Sequence, residues 1–210
     1  MREIRLNLGC GPVTPENWVN VDYALGAWLF KLPGFRAINK RLNLFNLNWN
    51  KEIFIRDLRK IFPWKDNSID VIYCSHTLEH FSKKEGHKFL MECYRVLKPG
   101  SGIVRILVPD LSLIISDYLE KKIASEDLLE ALGCCYGDSK LCRFISFPHK
   151  CMYDADALLR IMTSIGFLSQ VKKPFESEIP DIHPIEEPSS RALKSVIIEG
   201  KKPINPALSS

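Results

Sequence analysis

Two spacings of apolar residues alternate along the chain. Nearly unbroken apolar runs cover Ile4 to Leu8, Ile69 to Cys74 and Gly102 to Val108. Runs of that length mark strands buried on both faces, as in a parallel sheet. Between the last two, Phe89, Leu90, Cys93, Val96 and Leu97 recur at helical spacing within Glu85 to Leu97, and Pro99-Gly100 ends that helix. Trp18 to Val21 reads as a strand closing on Asp22, and Phe54-Ile55-Arg56 as a short one. Ala24 to Phe30 and Phe35 to Leu44 read as helices on either side of Pro33-Gly34, and Leu113 to Lys121 and Glu126 to Leu132 as two more. Asp154 is placed to cap a helix through Ile165 that Gly166 stops. Phe167 to Val171 and Leu193 to Glu199 read as late strands. Alternating strands and helices predict an α/β domain with a mostly parallel sheet. It is expected to occupy residues 1–202, with a frayed tail over 203–210.

Composition changes this picture little. The 210 residues are 46% hydrophobic and 26% charged, the balance of a soluble globular protein. The net charge of +4 is spread out, and the basic pairs Lys83-Lys84 and Lys172-Lys173 are too short for a nucleic-acid face, so no nucleic acid is expected. Seven cysteines, an odd number with no C-x-x-C pair, argue against a disulfide framework or zinc ribbon. Reduced thiols suit the cytosol. Met1-Arg2-Glu3 leads straight into a strand-like run, and no apolar run reaches the length of a membrane span, so a cytoplasmic protein is expected. Trp28-Leu29-Phe30 is expected to pack onto the domain.

Ligands on open parallel sheets sit beyond the carboxyl ends of the strands. Those ends carry Gly9-Cys10-Gly11, Asp22, Asp57, Ser75-His76 and Asp110. Gly9 and Gly11 allow close approach of backbone to a ligand. The Asp22 carboxylate can accept the hydroxyl hydrogens of a ribose, as the acidic residue of dinucleotide folds does. The dinucleotide fingerprint itself fails: Pro12, Val13 and Thr14 follow the G-x-G, and Asp22 stands only eleven residues beyond Gly11. A nucleoside ligand without a diphosphate fits better than NAD.

LNLGCG, WVNVD, IRDLRKIFPWKDNSIDVIYCSHTLEH and ECYRVLKPGSGIVRILVPD, in that order, resemble the class I S-adenosylmethionine-dependent methyltransferases. The likeness is nearest to small bacterial methyltransferase-domain proteins associated with surface-glycan biosynthesis. It is strong from Arg5 to Asp110 and weaker through HKCMYDADALLRIMTSIGF and the late strands. The resemblance implies a Rossmann-like sheet with a late antiparallel strand and S-adenosylmethionine as cofactor. It implies that Gly9, Cys10 and Gly11 lie beneath the methionine part, that Asp22 binds the ribose, and that Asp57 with the Leu58 backbone faces the adenine amino group. Ser75 and His76 would close the methionine end. Two positions depart from the family pattern: Asn7 stands where an acid is usual, bringing a hydrogen bond but no charge to the cofactor ammonium, and Val13 replaces the third glycine.

One string invites a different chemistry. HTLEH, His76 to His80, fits the H-x-x-E-H zinc pattern, which needs two ligating histidines one helical turn apart. His76 directly follows a strand and is expected in the turn, so no metal site is expected, and Glu79 and His80 are expected to pack and hydrogen-bond at the helix start. For methyl transfer, His76 and His149 are the candidate general bases. Cofactor packing is the competing role for the first and a structural hydrogen bond for the second. Asp110 is placed either to orient an acceptor or to cap the next helix. His183 and Arg191 lie in a proline-rich loop able to contact substrate, and the aromatic-rich segment 23–50 is placed as a lid or acceptor-recognition element, or as core cover. Three functions follow: a methyltransferase acting on a small-molecule or sugar-linked acceptor, a methyltransferase-fold binding protein without turnover, or a zinc hydrolase using HTLEH.

Overall fold

A computed structural model describes residues 3–42, 49–134, 147–186 and 190–204. Its strands are β1 (Arg5–Leu8), β2 (Val19–Asp22), β3 (Phe54–Ile55), β4 (Val71–Ser75), β5 (Ile103–Pro109), β6 (Leu168–Val171) and β7 (Ser195–Lys201). They form one seven-stranded sheet in the order β3-β2-β1-β4-β5-β7-β6. Every pairing from β3 to β5 is parallel, and β7 runs antiparallel to both β5 and β6. This is a Rossmann-like α/β fold with a late antiparallel strand.

The apolar runs sort by face as a period of two requires. Leu6, Leu8, Ile72, Cys74, Val104 and Ile106 turn to one side and pack on helices α3 (Lys83–Val96) and α6 (Ala155–Ile165). Helix α3 starts earlier than its apolar spacing indicated, because Ser82 and Glu85 form a reciprocal capping box. Helix α6 begins at the Asp154 cap, whose side chain accepts from Ala157 N–H, and ends at Gly166 with φ +112°. The opposite face, with Val71, Tyr73, Leu107 and Ile197, is covered by Ile179, Ile182 and Ile185 from the stretch before β7. That stretch carries a short helix, α7 (His183–Glu186), absent from the sequence reading.

Helices α1 (Leu25–Leu29) and α2 (Phe35–Leu42) follow β2, and residues 43–48, where the second helix was expected to end, lie outside the described residues. Phe30 is buried with Phe35, Trp49 and Ile53, as expected of a segment packed on the domain, whereas Trp28 is half exposed. Helix α4 (Leu111–Leu119) starts directly after β5, and α5 (Leu128–Ala131) is a single turn preceded by a 3₁₀ turn over Ser125–Asp127. Of the expected tail, residues 205–210 lie outside the described residues. Residues 9–18 connect β1 to β2 without a helix.

Candidate active site

Beyond the carboxyl ends of β1, β2 and β4 lies a cavity of roughly 530 Å³, within the usual range for small-molecule sites. Asn7, Gly9, Cys10, Gly11, Asp22, Asp57, Leu58, Ser75 and His76, spread through the sequence, all line it. Tyr23, Ala24 and Trp49 add wall from the segment placed in sequence as a lid. His80, marked in sequence by HTLEH, also lines the cavity, as do Arg59, Lys150 and Ile185, which carried no sequence signal of their own.

The loop after β1 is tied to β2. Gly9 and Cys10 both donate to Val21 O, at 2.8 and 3.0 Å. Gly11 N–H donates to Asp22 Oδ2 at 2.8 Å, while Asp22 Oδ1 accepts from Tyr23 and Ala24 N–H at 2.7 and 2.8 Å. A carboxylate has about four acceptor positions, so Asp22 keeps one for a ligand, where the sequence reading gave it both ribose hydroxyls. The two glycines differ. A Cβ on Gly9, at φ +72°, would fall 1.9 Å from Thr77 Oγ1, whereas a Cβ on Gly11, at φ +54°, would meet nothing within 4 Å. Gly11 therefore leaves open space where a ligand can lie against backbone. The Asn7 amide donates both hydrogens, to Val13 O and Asn20 Oδ1, each at 2.9 Å, which leaves its carbonyl oxygen as the acceptor. Burial pushes the Cys10 thiol well up, and the nearby Asp22 charge adds to the shift. Across the cavity, Asp57 is gripped by Arg59 through two contacts at 2.8 and 2.9 Å, and this hydrogen bonding holds its carboxyl below the usual range.

His76 sits in the turn, as expected, with φ +50°, a left-handed conformation uncommon outside glycine. Its Nε2 lies 3.0 Å from Ser195 Oγ and its Nδ1 3.4 Å from Glu79 Oε1. Glu79, within a 3₁₀ turn over Leu78–His80, is fully buried at 0% exposure, and neither carboxylate oxygen has a hydrogen-bond partner among the described residues. The hydrogen bond expected of its side chain is therefore absent, although its backbone carbonyl accepts from Lys150 and Cys151. The His149 ring packs edge-on against His80, with centroids 5.0 Å apart, and its Nδ1 approaches Leu132 O at 2.8 Å. Burial pushes the His149 pKa below the ordinary histidine value, opposed by the Glu79 charge.

Two of the residues marked for catalysis are not in the cavity wall. Asp110 caps α4, its Oδ1 accepting from Ser112 and Leu113 N–H at 2.9 and 3.4 Å. His149 stands behind His80, and its neighbours Phe147 and Lys150 reach the cavity instead. His183 stacks on Phe175, with planes 5° apart. The Arg191 side chain lies outside the described residues.

Residues 6–105 match the family model described as a methyltransferase domain. That match spans just under half of the chain, and over it the protein is similar to methyltransferase domains. Solved structures share the fold at low identity. An S-adenosylmethionine-dependent methyltransferase from Methanosarcina mazei is 18% identical with a TM-score of 0.51, over 97% of this chain and 95% of that one. One from Archaeoglobus fulgidus is 16% identical with a TM-score of 0.50, over 95% and 86%. PigF, solved with SAH, is 14% identical with a TM-score of 0.50, over 95% and 56%. No curated protein matches the chain. The S-adenosylmethionine expected from the sequence is a group that the open face of Gly11, the spare acceptor position of Asp22 and the Asn7 carbonyl oxygen fit. No helix among the described residues is long and apolar enough to cross a membrane.

Proposed function

We propose that residues 1–202 form one catalytic domain that transfers the methyl group of S-adenosylmethionine to a small polar acceptor, a free or carrier-linked sugar being the first class to try. The observation that carries this reading is the joined arrangement of Gly11 and Asp22: one carboxylate fixes an open-faced loop and still has an acceptor position at the cavity. In this reading Gly9, Cys10 and Gly11 lie beneath the methionine part, and the Asn7 carbonyl oxygen accepts from its ammonium. Asp22 accepts from a ribose hydroxyl. Asp57 and Leu58 face the adenine, with Arg59 orienting the Asp57 carboxylate.

When bound, the cofactor supplies a methyl group on a positively charged sulfur, already a good leaving group. What the protein contributes is alignment and exclusion of water, which can lower a barrier by several kcal/mol. Ser75, His76 and Thr77 wall the end of the cavity at β4, and His80, Phe147 and Lys150 line the side on which an acceptor would enter. Both nitrogens of His76 face protein atoms, Ser195 Oγ and Glu79 Oε1, so His76 is assigned as a positioning wall. Lys150, exposed at the rim, suits an acceptor carrying a phosphate or carboxylate.

The test is calorimetric titration with S-adenosylmethionine and S-adenosylhomocysteine, then a screen of sugars, nucleotide sugars, phenols and peptides for release of S-adenosylhomocysteine. Micromolar binding with turnover on a polar small molecule is expected. Tight cofactor binding with turnover only on peptides would remove the acceptor assignment. Absence of cofactor binding by folded protein would remove the pocket assignment.

A further inference from the structure

Glu79 poses a problem that the cofactor pocket does not solve. Its carboxylate is fully buried, yet among the described residues no N–H or O–H donates to either oxygen. A charge in that position requires a counter-charge. Among the described residues the basic nitrogens that approach Oε1 are His76 Nδ1 at 3.4 Å and His149 Nε2 at 3.8 Å, both beyond good hydrogen-bond geometry.

The backbone sets the tautomer of His149. Its Nδ1 lies 2.8 Å from Leu132 O. A carbonyl oxygen can only accept, so in the neutral ring Nδ1 carries the proton and Nε2 a lone pair. His149 Nε2 therefore has no proton to offer Glu79, and an imidazole lone pair faces a carboxylate oxygen at 3.8 Å. A cation between them resolves that repulsion. Imidazoles whose second nitrogen donates to a backbone carbonyl are also the form in which metal-binding histidines are held.

We propose that Glu79, His80 and His149 bind a divalent transition-metal ion, zinc in the first instance. One donor atom from each lies within 4.8 Å of the others. Donors around tetrahedral zinc sit about 3.4 Å apart, so closing on the ion takes side-chain shifts of about 1 Å. Three protein ligands would leave a coordination position open, and His80 lies in the cavity wall. Its occupant is water or, on the acceptor assignment under Proposed function, an acceptor oxygen. The string HTLEH thus contributes Glu79 and His80, while His76 stays with Ser195 and the third ligand comes from FPHKC.

The test is zinc binding by the full chain after chelator treatment, counted by mass spectrometry after equilibrium dialysis. Calorimetry with S-adenosylhomocysteine and thermal unfolding serve as fold controls. The wild type is expected to take up about one equivalent. Glu79→Gln and His149→Asn are expected to bind at least tenfold more weakly, with His87→Ala unchanged. Cobalt(II) is expected to give visible absorption bands that are lost in His149→Asn, a readout independent of activity. Zinc uptake below about 0.2 equivalent by folded wild type, or uptake that neither substitution alters, overturns the proposal. Wild type that binds S-adenosylhomocysteine but no zinc overturns the metal alone. Protein that binds zinc but no S-adenosylhomocysteine overturns only the pocket assignment.

Discussion

The Gly11 backbone N–H donates to Asp22 Oδ2 at 2.8 Å, so the carboxylate that ends β2 also fixes the loop that leaves β1. Substitution at Asp22 should act on both. In Asp22→Asn one acceptor oxygen becomes an NH₂ group. If that group faces Gly11, two donors meet; if it faces Tyr23 and Ala24, it meets two N–H donors at once. Calorimetry is expected to show S-adenosylhomocysteine affinity reduced at least tenfold, and thermal unfolding a lower midpoint by several degrees, since an unsatisfied buried donor costs about 1–3 kcal/mol. Unchanged affinity in a folded variant would remove Asp22 from the cofactor site.

The two glycines of the loop should separate stability from binding. Gly9→Ala places a methyl group 1.9 Å from Thr77 Oγ1 at φ +72°, so backbone or Thr77 must move. Gly11→Ala meets nothing and bears only the left-handed strain, about 1–2 kcal/mol. Urea unfolding is expected to show the larger loss for Gly9→Ala. Calorimetry is expected to show Gly11→Ala losing cofactor affinity by more than its stability loss explains, because the new methyl enters the open space. Equal stability losses would mean that the close approach to Thr77 is unimportant.

The parts of the site that were legible in sequence are those fixed by strand ends. Gly9, Asp22 and His76 each follow an apolar run whose length sets where the chain leaves the sheet, and the crevice rule then gathers them. Asp154 and Gly166 were legible for a similar local reason, one side chain and one left-handed residue bounding α6. Glu79 and His149 were not legible as neighbours, because seventy residues of chain separate two groups that tertiary packing brings within 3.8 Å. Asp110 was ambiguous because an acid after a strand serves a site or a helix N-terminus equally well, and only the bonds to Ser112 and Leu113 decide it. Arg105 hid inside β5 as one polar letter in an apolar run, its partners lying in later segments.

Asp57 supplies a pH prediction. Hydrogen bonding from Arg59 is the largest cause holding its carboxyl below the ordinary value. The folded protein therefore binds fewer protons here than the unfolded chain in the window below about pH 3.9. The contribution to stability is present in full above that pH and is lost as pH falls through the folded value. The pair is partly exposed, so the effect on stability is small. In Arg59→Gln the Asp57 carboxyl is expected to titrate nearer the ordinary value in a carbon-detected NMR titration. The acid limb of the unfolding curve should flatten slightly. A carboxyl titrating identically in both proteins would show that the Arg59 contact is not populated in solution.

Arg105 is fully buried in β5 and pairs with two carboxylates, Glu186 in α7 and Glu199 in β7, the second at 2.9 Å. The same guanidinium donates to Glu176 O at 2.9 Å and Lys173 O at 3.3 Å. Glu186 in turn accepts from Phe175 N–H at 2.8 Å, and Glu199 from Glu178 N–H at 3.2 Å. This network pins to the sheet the stretch that carries Ile185 into the cavity wall. Removing the cation alone leaves two buried acids facing each other, so Arg105→Ala is expected to cost about 3–5 kcal/mol in urea unfolding. Replacing all three charges with Met and Leu of similar volume is expected to restore much of that, because burying an ion triad is itself costly. The triple variant still lacks the bonds from Arg105 to the Lys173 and Glu176 carbonyls. It is therefore expected to show faster proteolysis between residues 172 and 186 and weaker S-adenosylhomocysteine binding, despite near-normal stability. Wild-type proteolysis and affinity in that variant would mean that apolar packing of Ile179, Ile182 and Ile185 suffices to hold the wall.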